Sequence, residues 1–150
     1  MRLATKTPHQ VVAMRRAGLV VARTLAALRD AISPGTTPRD LDALASRLIR
    51  QAGASASFLG YHGYPATICT SVNDVVVHGI PDDRPLRSGD VISIDCGAIF
   101  EGFVGDAAFS AGVGQISDQA QNLLDVTQQA LMLGISKLRD GNPLMLKTLF

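Results

Sequence analysis

Two aspartates lie within apolar stretches of VISIDCGAIFEGFVGDAAFS, the sequence of residues 91–110. Asp95 follows a run of strand-forming residues, and Asp106 comes eleven positions later. A carboxylate that is taken out of water costs several kcal/mol unless a cation or hydrogen-bond donors compensate for the lost solvent. The pattern therefore predicts that these two side chains have a specific partner.

The spacing of the two aspartates predicts that they share one face of a β-hairpin. Glu101-Gly102 is typical of a two-residue hairpin turn between apolar runs. With that turn, Asp106 lies opposite Gly97, and the two aspartates become diagonal neighbours with backbones roughly 7–8 Å apart. A turn one residue longer would place them on opposite faces of the ribbon. Gly97 is expected to leave open space beside the pair.

Two neighbouring carboxylates favour a bound cation. Each carboxylate raises the pKa of the other unless positive charge lies between them. One divalent ion, or two ions about 3.5–4 Å apart that share a bridging carboxylate, would remove this cost. The alternative is a pair of half-exposed strand aspartates satisfied by water or by arginine, for which Arg84 and Arg87 are the nearby candidates. The pattern alone leaves both interpretations open.

The composition indicates a single soluble domain. The 150 residues are 47% hydrophobic and carry a net charge of +1, which predicts neither DNA binding nor membrane association. Residues 51–110 contain two basic and seven acidic residues, as expected of a cation site or of a solvated acidic face. Cys69 and Cys96 are expected to be free thiols in a cytoplasmic protein.

The order of elements predicts an α/β (α+β) domain. Thr7-Pro8 begins an amphipathic helix that ends near Ile32, and Thr37-Pro38 begins a second one. Turn-rich strands and the hairpin follow, and then a third helix that ends near Asp140-Gly141. The arginines of the first helix form either a solvated face or a docking surface for a polyanion, with a ribosome contact left open.

The three histidines have different predicted roles. His9 lies in the first turn of a helix and is expected at the surface, and His62 in GYHGYP is interpreted as structural. His78 follows Val75-Val76-Val77, so a strand is expected to deliver it to a tight loop. A neutral imidazole there could ligate a metal, bind a substrate or make an ordinary buried hydrogen bond.

The segments GYHGYPATICTSVNDVVVHGIP and SGDVISIDCGAIFEGFVGDAAFS together resemble the type I methionine aminopeptidases. The resemblance covers most of residues 7–140. It implies half of a "pita-bread" fold around a dinuclear metal site, in an enzyme that removes the N-terminal methionine from nascent polypeptides. The implied cofactors are two divalent ions, either Co, Mn, Fe or Zn.

The resemblance also implies roles for individual residues. Asp95 and Asp106 would be metal ligands, with Asp106 bridging both ions, and His78 would contact the substrate near the scissile amide. The methionine side chain would bind in a pocket of aromatic and thiol groups, namely Phe58, Tyr61, Tyr64 and Cys69. Such a pocket suits an unbranched thioether.

The sequence departs from the family pattern in three places. The family site has five ligands, and the later histidine and two glutamates have no counterpart, since the only glutamate is Glu101 at the hairpin turn. Val104 stands where many relatives have histidine, and the tail LRDGNPLMLKTLF at 138–150, which is mostly apolar at 144–150, does not resemble what the family carries there. We therefore expect residues 1–150 to form a single, incomplete domain. The alternatives are a non-catalytic peptide-binding module or an inactive remnant of the same fold.

Overall fold

A computed structural model describes residues 5–138 of the chain. The helices are α1 (Pro8–Ala31), α2 (Pro38–Gln51) and α3 (Asp118–Ser136), and a short 3₁₀ turn covers Tyr61–Gly63. The strands are β1 (Ser55–Ala56), β2 (Ile68–Val72), β3 (Val91–Phe100) and β4 (Phe103–Gly112). The predicted mixture of helices and antiparallel strands is thus confirmed.

The first two helices begin where the Thr-Pro pairs predict. Thr7 and Thr37 are the N-caps, and each forms a reciprocal capping box with the residue three positions later. The following proline loses nothing at the first turn, where a backbone N–H has no intrahelical partner. The third helix is capped by Ser117 and ends at Ser136. This is before the end predicted near Asp140-Gly141, which lies outside the described residues.

The sheet is antiparallel and is organised around β3. Strand β4 pairs with β3 along its whole length, while β2 and the two-residue β1 pair with β3 as well. One face of the sheet is apolar and packs on α1 and α2. Residues that are fully buried in this core include Val21, Leu28, Leu41, Ile49, Ile68, Ile92, Ile94 and Cys96. The opposite face of β3 carries Ser93, Asp95 and Gly97, because side chains alternate along a strand.

Helix α1 crosses the sheet in close contact with β4. A Cβ atom on Gly105 would lie 2.7 Å from the backbone of Ala17, so the glycine permits this approach. The cation of Arg29 stacks over the ring of Phe109 at 4.5 Å from its centre. The hairpin that carries the two aspartates is therefore fixed from behind by a helix with which it shares the core.

Two features differ from the sequence prediction or extend it. The segment Val75-Val76-Val77 is not a strand but an exposed loop, with Val76 85% exposed. No described residue of α3 is buried, although the helix carries several large apolar side chains. The apolar tail at 144–150 lies outside the described residues.

Two expectations about the environment of the chain can be compared with the structure. Cys69 and Cys96 are free thiols, as predicted, and both are buried. None of the helices in the described residues has the length and hydropathy needed to cross a bilayer.

Candidate active site

The hairpin has the register that the sequence predicts. Gly97 lies opposite Asp106 and Asp95 lies opposite Ala108. The turn residues Glu101 and Gly102 have φ angles of 50° and 80°, as a type I′ turn requires. The two aspartates therefore lie on the same face as diagonal neighbours.

The two carboxyl groups are close and interact. Asp95 is half-buried and Asp106 is exposed. Desolvation raises the pKa of Asp95, and the charge of Asp106 and a hydrogen bond between the two side chains raise it further. One oxygen of Asp95, Oδ1, is buried and has no hydrogen-bond partner. A buried, unpaired carboxylate oxygen is a group that a cation would stabilise.

Arginine does not supply the missing partner. The ion pairs among the described residues are Arg16–Glu101 at 3.4 Å and Arg39–Asp83 at 2.6 Å. Arg84 and Arg87, the alternative partners suggested by the sequence, are not paired with either site aspartate. The ion pair of Glu101 with α1 also confirms that this glutamate is at the hairpin tip and points away from the two carboxylates.

The space beside the pair is not open, which corrects the prediction for Gly97. A Cβ atom at this position would collide with Ser57 Oγ and would lie 2.9 Å from the ring of Phe58. The backbone N–H of Ser57 donates to the Gly97 carbonyl at 3.1 Å. Gly97 therefore allows the Ser57-Phe58 segment to pack against the hairpin, and this contact places the Phe58 ring next to the carboxylates.

A cavity of about 530 Å³ opens beside the carboxylates. Its lining contains Asp95, His78 and all four residues that the family resemblance assigned to the methionine pocket. The structure thus brings together six of the seven predicted site residues, and the seventh, Asp106, is the diagonal neighbour of Asp95 on the hairpin. The four pocket residues are Phe58, Tyr61, Tyr64 and Cys69.

The thiol in the cavity wall is in register with Asp95 on strand β3. Cys69 on β2 lies directly opposite Asp95 on β3. Burial raises the pKa of the Cys69 thiol, and the charges of Asp95 and Asp106 act in the same direction, against a hydrogen bond with Tyr64 that lowers it. The group is therefore a neutral thiol at pH 7, and it gives the pocket a soft, weakly polar surface.

His78 reaches the cavity from a loop rather than from a strand. Its backbone is in the left-handed region with φ 57°, and the residue is exposed. The imidazole is close enough to Asp95 for its charge to lower the pKa of that carboxyl. His78 thus faces both the cavity and the carboxylate pair, as a group that contacts substrate would.

Four residues of the cavity were not predicted from the sequence. His62, which was interpreted as structural, lines the cavity, and so do Gly63, Pro65 and Ile80. The His62 ring lies edge-on to Tyr61, with 4.4 Å between ring centres. A signal was present, because GYHGYP places this imidazole between two tyrosines that were themselves assigned to the pocket. His9 is exposed on α1, as expected.

The residues present fit part of a divalent-metal site. Two carboxylates on one face, one with an unpaired oxygen, are the hard oxygen donors that divalent ions accept. Within residues 5–138 no group of three or more His, Cys, Asp or Glu side chains is arranged to hold a metal. Asp95 and Asp106 would thus supply two ligands of a larger set.

Comparison with known proteins assigns the family. Methionine aminopeptidase 1 of Mycobacterium tuberculosis is 52% identical over 140 residues, which are 93% of this chain and 53% of the relative. The corresponding protein of Bacillus subtilis is 45% identical over 139 residues, with 93% and 56% covered. The methionine aminopeptidase structure from Thermotoga maritima superposes with a TM-score of 0.88 at 35% identity, over 92% of this chain and 55% of that one.

The Thermotoga maritima structure contains the half of the pita-bread fold that was predicted for this chain. The chain spans about half the length of the curated relatives that it matches. Residues 12–146 match the model of metallopeptidase family M24. The chain therefore belongs to metallopeptidase family M24.

Proposed function

We propose that this chain carries the substrate pocket and the first two metal ligands of a methionine aminopeptidase, which removes N-terminal methionine by hydrolysis. The observation that carries the proposal is the unpaired, buried Oδ1 of Asp95 beside Asp106, at the edge of an aromatic and thiol-lined cavity. A cation at the carboxylates and an apolar side chain in the cavity would satisfy both features. The names of the similar proteins support this assignment.

Each side chain would have a distinct task in this activity. Asp95 and Asp106 would hold divalent metal, which when bound activates water and polarises a carbonyl. The side chain of the first residue would fill the cavity against Phe58 and Tyr64. His78 would then lie near the first peptide bond and donate a hydrogen bond to it, with the neutral thiol of Cys69 lining the base of the pocket.

The finer assignments are also part of this proposal. Carboxylate and imidazole donors suit Mn, Fe, Co or Zn, and we propose two ions of this group. The substrates would be the N-terminal Met segments of nascent chains. A cytoplasmic location is supported by the two free, buried cysteines. The exposed arginines of α1, which include Arg15 and Arg23, are the candidate surface for a ribosome contact.

Metal binding and turnover can be tested separately. Titration with Mn²⁺, followed by calorimetry or by electron paramagnetic resonance, should show binding that Asp95→Asn and Asp106→Asn both abolish. Asp30→Asn is the matched control, because this aspartate is exposed on α1, which packs on the face of the sheet opposite to the two carboxylates. If the wild type and Asp30→Asn bind Mn²⁺ no better than the hairpin variants, the metal-site assignment is wrong.

Turnover is measured as release of free methionine from a Met-Gly-led peptide with added Co²⁺ or Mn²⁺. Release that disappears in Asp95→Ala and Asp106→Ala would establish the proposed activity for this chain. Absence of both release and peptide binding would contradict the proposal.

A second candidate, a peptide-binding module without catalysis, is favoured by one specific observation. The cavity lining includes all four residues assigned to the methionine pocket, whereas the described residues hold no cluster of three metal ligands. This candidate predicts saturable binding of Met-led peptides without methionine release. Binding should be lost in Tyr64→Ala and His78→Ala, and a chain that binds no such peptide would exclude it.

A further inference from the structure

The loop that carries His78 is attached to strand β2 through the next residue, Gly79. The Gly79 carbonyl accepts the N–H of Thr70 at 2.9 Å, and the Gly79 N–H donates to Ser71 Oγ at 3.2 Å. A Cβ atom on Gly79 would collide with the carbonyl oxygen of Thr70, so the close approach requires glycine. His78 therefore owes its position to contacts at a single point and not to regular secondary structure.

Tyr64 adds a further contact at the same point. Its hydroxyl oxygen is 2.9 Å from the Gly79 carbonyl oxygen and 3.0 Å from the Ile68 carbonyl oxygen. The single proton of the hydroxyl is donated to one carbonyl at a time or shared between them. Burial raises the pKa of Tyr64, so the hydroxyl keeps this proton throughout the neutral range. The side chain thereby joins β2 to the loop.

The ring of Tyr64 has a second role, because it lines the cavity together with His78. We propose that Tyr64 is a positioning residue for His78: its ring forms the wall that a bound side chain touches, and its hydroxyl holds the Gly79 carbonyl. A ligand that fills the cavity then orders Tyr64, and Tyr64 fixes the loop that carries His78. The inference deepens the proposed function and rests on it, since the placement of His78 matters only if the cavity takes a substrate side chain.

The first test measures hydrogen exchange of the Gly79 amide by NMR in the whole chain, without ligand. Tyr64→Phe keeps the ring and removes the hydroxyl, and it should speed exchange at Gly79 about three- to tenfold, the factor expected for one hydrogen bond of ordinary net strength. The amide of Ile94, in the middle of β3, is the internal reference for global stability. A purely structural effect would change both amides alike, whereas the proposal predicts a change confined to the loop.

Tyr61→Phe is the matched control. Tyr61 also lines the cavity, but its hydroxyl makes no hydrogen bond with another described residue. This variant should leave Gly79 exchange at the wild-type rate. The His78 ring resonances should shift in Tyr64→Phe and stay unchanged in Tyr61→Phe. Equal Gly79 exchange in wild type and Tyr64→Phe would overturn the proposal.

A second variant keeps the proposal testable if Tyr64→Phe does not fold. Ser71→Ala removes the acceptor of the Gly79 N–H without altering the cavity lining, and it should shift the His78 resonances in the same direction. Unchanged resonances in this variant would count against Gly79 as the anchor of the loop.

The coupling between cavity and loop is tested by adding L-methioninamide. It should slow Gly79 exchange at least twofold in wild type and Tyr61→Phe, and have no effect in Tyr64→Phe. Equal slowing in Tyr64→Phe would contradict the coupling. Failure of the amide to bind the wild type at all would count against the proposed function, while the ligand-free comparison would still decide the role of Tyr64.

Discussion

Replacing Asp106 by asparagine should stabilise the metal-free protein. Two unit charges about 4 Å apart repel by about 1 kcal/mol in bulk water and by about 4 kcal/mol at an effective dielectric constant of 20. Because Asp106 is exposed, solvent screens its repulsion with Asp95, and the lower value applies. We therefore expect Asp106→Asn to raise the free energy of unfolding by about 1 kcal/mol at pH 7 in the presence of EDTA.

The pH dependence of this gain follows from the pKa of Asp95. Desolvation and Asp106 raise that pKa in the folded state above its ordinary value of 3.8. Folding therefore favours the protonated form of Asp95. The stability that Asp95 contributes through this proton is fully present below its ordinary pKa, and it is lost as the pH rises through the raised pKa of the folded state. The wild type and Asp106→Asn should be nearest in stability around pH 4 and should separate as the pH rises to 7.

Divalent metal should reverse the order of stability. A cation at 100 times its dissociation constant stabilises the folded state by about 2.7 kcal/mol, and the variant lacks one of the two carboxylates that would bind it. Urea unfolding followed by circular dichroism measures the free energy of unfolding in EDTA and with Mn²⁺. The control variant Asp30→Asn should gain as much stability from Mn²⁺ as the wild type does. The reasoning is refuted if Asp106→Asn is less stable than the wild type in EDTA at pH 7. It is also refuted if Asp106→Asn gains as much stability from Mn²⁺ as the wild type does.

Four further predictions concern two glycines, the two thiols and Glu101. Gly97→Ala should cost about 1–3 kcal/mol of stability by overpacking and should weaken Met-led peptide binding in a calorimetric titration. Gly18→Ala, with open space at a helix interior, should instead gain up to about 1 kcal/mol. Burial raises the pKa of Cys69 and raises that of Cys96 to about 12. Iodoacetamide at pH 8 should therefore alkylate both thiols more slowly in the folded protein than in urea, and it should react with Cys69 before it reacts with the fully buried Cys96. Glu101→Gln should change stability by less than about 1 kcal/mol and leave Mn²⁺ affinity unaltered, whereas a fall in affinity would place this side chain at the metal.

The parts of the fold that depend on local chemistry could be predicted from the sequence. The Thr7-Pro8 and Thr37-Pro38 pairs specify helix starts through hydrogen bonds that span only three residues. The Glu101-Gly102 turn fixes the pairing of its two strands, and the register in turn places both aspartates on one face. Few nearby residues decide each of these features, so their types and spacing were sufficient.

The parts that depend on distant contacts could not be predicted in the same way. Three consecutive valines favour a strand, yet the loop that contains Val76 is held by hydrogen bonds from Gly79 to β2 and exposes the valines. The open space expected at Gly97 is filled by Ser57 and Phe58, about forty positions earlier in the chain. Neither contact has a periodic signature, because each depends on how separate segments pack.

The backbone conformation of His78 gives an independent argument that the cavity region is functional. Four non-glycine residues in the described part of the chain have positive φ angles. Asn73 tolerates this region and bonds to the backbone of Val91, and Glu101 occupies a turn that demands it. His62, at φ 46°, is the first central residue of a similar turn, in which the Tyr64 N–H donates to the Tyr61 carbonyl at 2.9 Å. His78, at φ 57°, lies in no such turn of the described residues, and its conformation costs about 1–2 kcal/mol for an ordinary side chain. Glycine would avoid that cost at this position, so the His78 ring is present against the local preference of the chain, and it lies in the wall of the cavity together with Asp95.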